Sequence, residues 1–261
     1  MAREPKSQEE KEEKAIVVTE QVTPAAPAIT IPEGWKPKTK LGKDILENKI
    51  TDIKEIFEKG IKIAEPEIVD ILLPNLEKEI ILVGGSTGKG GGIRKTPFKR
   101  TTRMHKSGRR YRISVMTVVG NKNGYVGLGF AGGPPRKHQE VIQKSVNRAK
   151  LNIIPIRRGC GSWECLCGTN HSVPFSVRGR SGSVEVVLYP APRGIGLVVS
   201  DEMKKIMRFA GISDIWSKSR GQTATRVNHA RAVFYALKNL NRFKVSPDAE
   251  KHVSLAMGKV I

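Results

Sequence analysis

The chain has 261 residues, a formal net charge of +21 and 38% hydrophobic residues, with only 5% aromatic residues. This length fits one large domain or two small ones, and the apolar segments suffice for a mostly aliphatic core. No apolar run approaches the length of a membrane span, and the first residues, MAREPKSQEEKEEK, lack the apolar region of a signal peptide. Three clustered cysteines argue against a secreted disulfide framework and favour a reducing compartment.

One segment of the chain is strongly basic. Between Ile80 and Gln139 there is no Asp or Glu. The same segment holds thirteen cations: Lys89, Arg94, Lys95, Lys99, Arg100, Arg103, Lys106, Arg109, Arg110, Arg112, Lys122, Arg136 and Lys137. A phosphate backbone releases its counterions when such a surface neutralises it, so the segment predicts binding to a nucleic acid. The alternative, a solvated charge run, usually mixes both signs of charge, which this segment does not.

Composition divides the chain into parts of different character. The N-terminal part combines mixed charge with many Pro and Ala residues, a composition that cannot bury enough apolar surface to fold alone. In the part that follows, Asp52 and Glu55 have the spacing of a capping box, which predicts a helix that Gly60 ends. The predicted parts are an extended, disordered arm (1–50), a helical lead-in (51–75), a first domain (76–155), a second domain (156–245) and a C-terminal tail (246–261).

The first domain contains the pattern of a β-hairpin followed by a helix. Residues 111–119 and 125–130 are rich in β-branched and apolar residues, and the polar segment 120–124 supplies the turn. An amphipathic helix with basic residues opposite its apolar face is predicted over residues 139–152. Double-stranded-RNA-binding modules have this order of strands and helix, and they contact phosphates and 2′-hydroxyls of RNA.

The second domain combines strands, a turn-rich loop and helices. Strands are predicted over residues 173–178 and 184–189, and the loop 190–196 follows the second strand. Ser200 is expected to cap a helix that Gly211 ends.

A further helix is predicted to end near Leu240, and two arginines stand before it. Arg220 and Arg226 lie in the loop at its N-terminus, where unpaired backbone amides favour a phosphate. The alternative is that Thr225 simply caps the helix, and the sequence does not separate the two interpretations.

Four motifs resemble a known family in their order along the chain. They are RISVMTVVGNKNGYVGLGFAGG, HQEVIQKSVNRAKLNIIPI, GRSGSVEVVLYPAPRGIGLV and RGQTATRVNHARAVFYAL, and they resemble small-subunit ribosomal protein five in its archaeal and eukaryotic branch. The resemblance covers residues 76–240. It implies an α+β fold, in which an N-terminal double-stranded-RNA-binding-like domain precedes a β-α-β-β-α domain of the kind that forms domain 2 of ribosomal protein five. It also implies a place in the cytoplasmic ribosome and no enzymatic activity.

The resemblance implies that three basic segments of the first domain contact small-subunit rRNA. They are the basic loop 100–112, the tip of the hairpin at 121–124 and the segment that precedes the helix. With the two arginines of the second domain, the predicted RNA-binding residues are Lys99, Arg100, Arg103, Lys106, Arg109, Arg110, Arg112, Lys122, Asn123, Arg136, Lys137, Arg220 and Arg226.

The resemblance also implies protein partners. The loop at residues 193–196 and the first turn of the next helix match the family surface that faces ribosomal protein four and influences translational accuracy. The predicted interface residues are Arg193, Gly194, Gly196 and Lys204. Ribosomal protein eight is a second expected partner, and basic side chains near this surface are expected to line the path by which mRNA enters the subunit.

A cluster of cysteines lies near the junction of the two domains. Cys160, Cys165, Cys167 and His171 place three thiols and one imidazole within twelve residues, the number and type of ligands in a structural zinc site. The paired C-x2-C spacing is absent, so one structural Zn ion and a set of reduced, half-buried thiols with His171 on RNA remain alternatives. Four protein ligands would close the site, so a catalytic zinc is not expected.

The sequence therefore favours one function over two others. The favoured function is a structural, rRNA-binding constituent of the small ribosomal subunit. A free RNA-binding regulatory protein is the alternative, and an RNA-modifying zinc enzyme is a more distant third, since no acid-base or nucleophile pair is apparent. The glycine-rich segment 84–92 is not a nucleotide-binding loop, because Gly90 stands where the magnesium-binding hydroxyl is needed.

Overall fold

The computed structural model describes residues 35–87, 92–165, 167–246 and 254–258, all within one compact unit, Pro32–Ile261. The helices of the described part are α1 Lys40–Leu46, α2 Ile53–Glu58, α3 Pro66–Leu72, α4 His138–Leu151, α5 Asp201–Ala210 and α6 Arg226–Asn239, with a 3₁₀ turn at Leu240–Arg242. Its strands are β1 Glu77–Ile81, β2 Gly84–Thr87, β3 Ile93–Thr96, β4 Lys99–His105, β5 Gly108–Gly120, β6 Tyr125–Gly133, β7 Ile153–Pro155, β8 Arg157–Arg158, β9 Val177–Ser181, β10 Val184–Pro190, β11 Leu197–Val198, β12 Ile215–Arg220 and β13 Ala256–Met257. Within these ranges, no helix has the length and apolarity that a membrane span requires.

The first sheet is antiparallel and is organised around the long strand β5. Its order is β1-β5-β6-β7, and β4 pairs with the first half of β5 while β1 pairs with the second half. The predicted hairpin is confirmed, since β5 and β6 pair on either side of the predicted turn. In the turn between these strands, the Asn121 side chain accepts hydrogen bonds from the amides of Asn123 and Tyr125, which fixes the turn.

Helix α4 packs closely against β6 because two glycines of β6 face it. An ideal Cβ at Gly129 would lie 2.0 Å from the carbonyl oxygen of Ser145, and one at Gly127 would lie 2.2 Å from that of Ala149. The buried Ser145 hydroxyl donates to the carbonyl of Gly129 at 3.1 Å and accepts from the hydroxyl of Thr117. Backbone and side chains of the helix and the sheet therefore meet without a layer of bulky side chains between them.

The second sheet has the order β11-β12-β10-β9, and helix α6 packs against β9 and β10. The α+β class is confirmed, but from β9 onward the order of elements in this domain is three strands, a helix, a strand and a helix, and not β-α-β-β-α. A tight turn at Gly182, with φ of 61°, joins β9 directly to β10. The first strand begins at Val177, later than predicted, and Pro174, within the predicted range, has no amide N–H to donate to a strand ladder.

The two sheets share one hydrophobic core. Met116 and Val118 of β5 belong to the same buried cluster as Met203 and Ile206 of α5 and Phe234 of α6. Helix α5 therefore covers one face of the first sheet, and α4 packs on the opposite face. Helix α5 has the predicted ends, with Ser200 before it and a left-handed Gly211 after it, but Ser200 makes no side-chain capping hydrogen bond.

The end of the predicted arm is folded and not extended. Leu41 and Ile45, one helical turn apart in α1, are both buried, which gives this short helix an apolar face. Trp35 donates from Nε1 to a carboxylate oxygen of Glu65 at 3.0 Å, so the chain before α1 is tied to the chain before α3. The rest of the predicted arm, residues 1–34, lies outside the described residues.

The helix predicted in the lead-in is confirmed as α2, although its capping box is absent. Asp52 occupies the N-cap position but makes no side-chain hydrogen bond there. Gly60 adopts a φ of 65° after the helix, and the amide of Ile61 donates to the carbonyl of Ile56 at 3.0 Å. The left-handed glycine therefore ends α2 in the predicted place.

One buried arginine joins three distant parts of the chain. Arg158 is 6% exposed and donates to the carbonyl of Gly211 at 3.2 Å, to Oδ1 of Asn123 at 2.8 Å and to the carbonyl of Gly258 at 3.3 Å. Burial lowers the pKa of Arg158 from its ordinary value, yet a guanidinium stays charged at neutral pH. Part of the predicted C-terminal tail is thereby docked, since β13 also pairs with β8.

The close contact at Gly129 gives a test of this packing. We expect Gly129→Ala to destabilise the fold by about 1–3 kcal/mol, because α4 must move away from β6 to accommodate the methyl group. Gly92→Ala is the matched control, since among the described residues that are not adjacent to it no atom lies within 4 Å of the Cβ it would add. Urea denaturation measures both variants, and equal midpoints for the two would contradict the packing.

Candidate nucleic-acid interface and metal site

The segment predicted to be a basic loop is a β-hairpin. Strand β4 and the first residues of β5 pair from Lys99↔Ser114 to His105↔Gly108, and every residue from 99 to 112 is exposed. We call residues 99–112 the basic hairpin. Because neither of its faces is buried, the sequence lacks the alternation of apolar and polar residues that marks a half-buried strand, and it was therefore predicted as a loop.

The cations of the basic hairpin lie on both of its faces. Residues that are directly opposite in an antiparallel ladder place their side chains on the same face, and Arg103 is opposite Arg110 while Thr101 is opposite Arg112. One face therefore carries Lys99, Arg103, Arg110 and Arg112, the other carries Arg100 and Arg109, and Lys106 lies in the turn. Like charges directly opposite each other repel, so an external anion would stabilise this arrangement.

These seven cations have no carboxylate partner within the described part of the chain. The guanidinium carbon of Arg100 lies 3.8 Å from the centroid of the Tyr111 ring, and Arg110 donates to the hydroxyl of Ser107 at 2.8 Å. Both contacts orient an arginine without neutralising its charge. The basic hairpin can therefore offer its cations to phosphates.

The two predicted RNA-binding residues of the β5–β6 turn have partners inside the protein. Lys122 forms an ion pair with Glu77, and its amide donates to the carbonyl of Phe209 at 3.1 Å. Asn123 accepts from the buried Arg158 at 2.8 Å. Both side chains therefore hold the turn against the second domain and the start of β1.

The remaining predicted RNA-binding residues fall into two groups. Arg136 and Arg220 are exposed, and Lys137 is exposed with its Nζ 3.0 Å from a carboxylate oxygen of Glu140. Arg136 and Lys137 precede α4 as predicted, whereas Arg220 is the last residue of β12. Arg136, Lys137 and Arg220 therefore lie outside the basic hairpin.

Arg226 connects the two domains. Its Nη1 donates to the carbonyls of Leu82 at 3.2 Å and Gly84 at 2.7 Å, and its Nε lies 3.7 Å from a carboxylate oxygen of Glu202. Thr225 stands at the N-cap of α6 but makes no side-chain capping bond. Arg226 is therefore occupied by the segment that follows β1, a partner too distant in sequence to be predicted.

The predicted protein-interface residues lie on and beside a glycine loop, residues 193–196. Arg193 is exposed, and Gly194 and Gly196 have φ of 96° and 75°, left-handed values that glycine adopts without strain. The amides of both glycines donate to Oδ1 of Asp214, at 3.1 Å and 2.8 Å. Lys204 lies in the first turn of α5, with its nearest carboxylate oxygen 3.8 Å away.

The four predicted metal ligands come together in the fold. The Sγ atoms of Cys160, Cys165 and Cys167 and a ring nitrogen of His171 all lie within 4.8 Å of one another. Gly168, with φ of 62°, turns the chain back between the thiols and the imidazole. Tetrahedral zinc with Zn–S bonds of about 2.3 Å holds its sulfurs about 3.8 Å apart, so a contraction of about 1 Å would close the site. This thiol–imidazole cluster fits a metal ion.

The thiols of the cluster differ in acidity. Burial raises the pKa of Cys160 to about 11, whereas a hydrogen bond from the Thr169 hydroxyl lowers the pKa of Cys167 to about 6. At neutral pH Cys167 is therefore mostly a thiolate and Cys160 a thiol. A metal that binds the cluster must displace the proton of Cys160, and its affinity therefore decreases as the pH falls.

Asp214 completes this region, and sequence reasoning missed it. Its Oδ2 lies 2.9 Å from Nδ1 of His171, and the two residues are 43 positions apart. A single Asp before a polar strand belongs to no sequence motif, so the sequence could not identify Asp214 as a partner of His171. His171 is 9% exposed, which disfavours the alternative in which its imidazole contacts RNA.

Two family descriptions match the chain. Residues 97–157 match "Ribosomal protein S5, N-terminal domain", and residues 179–251 match "Ribosomal protein S5, C-terminal domain". Together they cover the first sheet with its basic hairpin and the second sheet with its helices. Both matches agree with the resemblance that the four sequence motifs carry.

Relatives named "Small ribosomal subunit protein uS5" are similar to nearly the whole chain. The one from Nanoarchaeum equitans is 48% identical over 231 residues, which are 88% of this chain and 97% of that protein. Those from Methanothermobacter thermautotrophicus and Aeropyrum pernix are 50% and 49% identical over 85% and 83% of this chain, and over 95% and 91% of their own lengths. The chain therefore belongs to the ribosomal protein S5 family.

Proposed function

We propose that this protein is a structural component of the small ribosomal subunit and binds small-subunit rRNA through the basic hairpin. The relatives carry the name of a small-subunit protein, and their family is one of ribosomal proteins. The prediction that the chain is not an enzyme is confirmed by this membership. The observation that carries the proposal is the set of seven exposed cations, without carboxylate partners among the described residues, on a two-stranded hairpin.

The shape of the basic hairpin suits RNA. Cations on both faces can neutralise phosphates on two sides, as in a groove or between two helices, while the ring of Tyr111 lies against the Arg100 guanidinium. Arg136, Lys137 and Arg220 are further candidate phosphate contacts. Lys122, Asn123 and Arg226 have partners inside the protein. We therefore propose that these three residues stabilise the fold and do not bind RNA.

The salt dependence of RNA binding tests the basic hairpin. Alanine at Arg103, Arg109 and Arg110 should reduce the slope of log affinity against log salt by about 0.7–0.9 for each lost phosphate contact. The control replaces Lys49, Lys59 and Lys144, three cations that already pair with carboxylates, and should change the slope less. Equal slopes for both triple variants would show that the basic hairpin does not contact phosphates.

Association with ribosomes separates this proposal from a free RNA-binding regulator. A component of the cytoplasmic small subunit should comigrate with small-subunit rRNA in a sucrose gradient, and it should remain there at a magnesium concentration that keeps the subunit intact. A protein that stays at the top of the gradient would favour the regulatory alternative.

We further propose that the glycine loop and the first turn of α5 face ribosomal protein four, near the path by which mRNA enters the subunit. The exposed Arg193 and the weakly paired Lys204 support this proposal, since both can meet an acidic or phosphate-bearing neighbour. Contact with ribosomal protein eight is a second proposal, which rests on the family resemblance alone.

Translational accuracy tests the proposed interface. Lys204→Ala should change the frequency of misreading in a reporter assay while subunits still assemble, because the side chain lies outside the buried core. Arg208→Ala, which removes an exposed cation from the last turn of the same helix, is the matched control and should leave misreading unchanged. Normal misreading in Lys204→Ala together with failed assembly would assign the side chain to folding.

We also propose that the thiol–imidazole cluster binds one structural zinc ion. The ion would supply a local crosslink, and the four ligands would leave no open position for a substrate. Its thiols and imidazole already lie close together, and the imidazole is oriented by a carboxylate, as in many zinc sites.

Metal content tests the cluster. Purified, dialysed protein should carry about one equivalent of zinc, and Cys165→Ser should lose it together with local order in residues 158–173. The rest of the fold should persist, because both sheets have a core apart from the cluster. Glu164→Gln, which changes a neighbour outside the cluster, should retain the metal. Zinc far below one equivalent in the unaltered protein, with three freely titratable thiols, would contradict the proposal.

A further inference from the structure

One buried carboxylate lies between the thiol–imidazole cluster and the glycine loop. We propose that Asp214 is a positioning residue that aims His171 at a bound metal and thereby couples metal occupancy to the conformation of the glycine loop. The proposal rests on the metal site and the protein interface proposed above. It adds that the metal site and the glycine loop are coupled, and that metal binding stabilises one conformation of the loop through Asp214.

The two oxygens of Asp214 serve different partners. Oδ2 lies 2.9 Å from Nδ1 of His171, while Oδ1 accepts from the amides of Gly194 at 3.1 Å and Gly196 at 2.8 Å. Asp214 is only 4% exposed, so water cannot readily replace any of these partners. A carboxylate has room for all three donors, and each bond restrains the orientation available to the others.

The backbone reinforces the same connection. The amides of Ser213 and Asp214 donate to the carbonyl of His171 at 2.8 Å and 3.1 Å. On the other side, the amide of Ile215 donates to the carbonyl of Gly196 at 3.1 Å. Residues 213–215 are therefore bonded to the metal ligand at one end and to the glycine loop at the other.

The orientation of His171 suits a metal ligand. An Nδ1–H that donates to Asp214 leaves Nε2 without a proton, and Nε2 lies 3.9 Å from Sγ of Cys165. A cation bound at Nε2 withdraws electron density from the ring, which makes Nδ1–H a stronger donor to the carboxylate. Metal binding should therefore hold the carboxylate of Asp214 more firmly in the orientation that the loop amides require.

The glycine loop is exposed over residues 193–195, so few packing contacts restrain it. Both glycines are in the left-handed region, and within the described part of the chain no atom other than those of adjacent residues lies within 4 Å of the Cβ position of either. Hydrogen bonds to Asp214 and Ile215 are therefore its main restraints among the described contacts. Coupling between two sites is reciprocal, so a change that strains the loop should weaken metal binding, by at most the factor by which the metal stabilises the loop.

Two measurements on the full chain test the coupling. Zinc affinity is measured by competition with a chromophoric chelator, and amide hydrogen exchange of residues 193–196 is measured with and without zinc. We expect zinc to slow the exchange of the loop. Asp214→Asn should lower zinc affinity by about 10- to 100-fold and should abolish the zinc-dependent slowing.

A second variant avoids the risk that Asp214→Asn fails to fold. Gly196→Ala strains the loop without altering a metal ligand, and it should lower zinc affinity several-fold. Gly60→Ala is its matched control, because Gly60 is also left-handed, with φ of 65°, and also has no atom within 4 Å of its Cβ position. A decrease in zinc affinity for Gly196→Ala alone would support the coupling, since a general loss of stability would affect both variants.

The outcomes separate the new inference from the proposals beneath it. If the unaltered protein binds zinc but the exchange of residues 193–196 does not respond, or if Gly196→Ala binds zinc as tightly as Gly60→Ala, the coupling is wrong and the metal site stands. If the unaltered protein binds no zinc, the metal site is wrong and the coupling with it.

Discussion

Strand β5 is buried along its second half and exposed along its first half, and the rest of the structure depends on this division. From Ile113 onward its side chains lie between α4 on one face of the sheet and α5 and α6 on the other. Residues 108–112 of the same strand form one side of the basic hairpin. Because a single strand passes from core to hairpin without a loop, the packing of the core fixes the direction in which the cations project. The position of the basic hairpin is thus set by buried aliphatic side chains that lie outside it.

The second domain contributes to the same constraint. Helix α5 covers one face of the first sheet, and Arg226 and Arg158 donate to carbonyl groups on segments that are distant in sequence. The basic hairpin and the glycine loop are consequently carried by one compact body, and the proposed rRNA and protein contacts lie at fixed positions on it. In a large assembly such a body can link an RNA segment to a protein neighbour.

Local patterns in the sequence predicted the parts of the fold that local physics determines. Helix α4 and the β5–β6 hairpin follow from periodicity and turn residues, and the four metal ligands were identifiable because they lie close together in sequence. The basic hairpin was predicted as a loop because neither face is buried. The pairs Lys122–Glu77, Arg226–Leu82 and Asp214–His171 could not be predicted, since each joins residues more than about forty positions apart through the tertiary fold.

The central claim is that the basic hairpin faces small-subunit rRNA, and site-specific crosslinking measures this directly. Met104 is 75% exposed on the hairpin and carries no charge, so a photoreactive benzophenone side chain can replace it without removing a cation. The same replacement at Ile61, which is 40% exposed and lies outside the hairpin, serves as the reference. In assembled subunits the residue at position 104 should crosslink to small-subunit rRNA more strongly than the one at position 61. Crosslinks from position 104 to protein alone, or no crosslink there, would contradict the account.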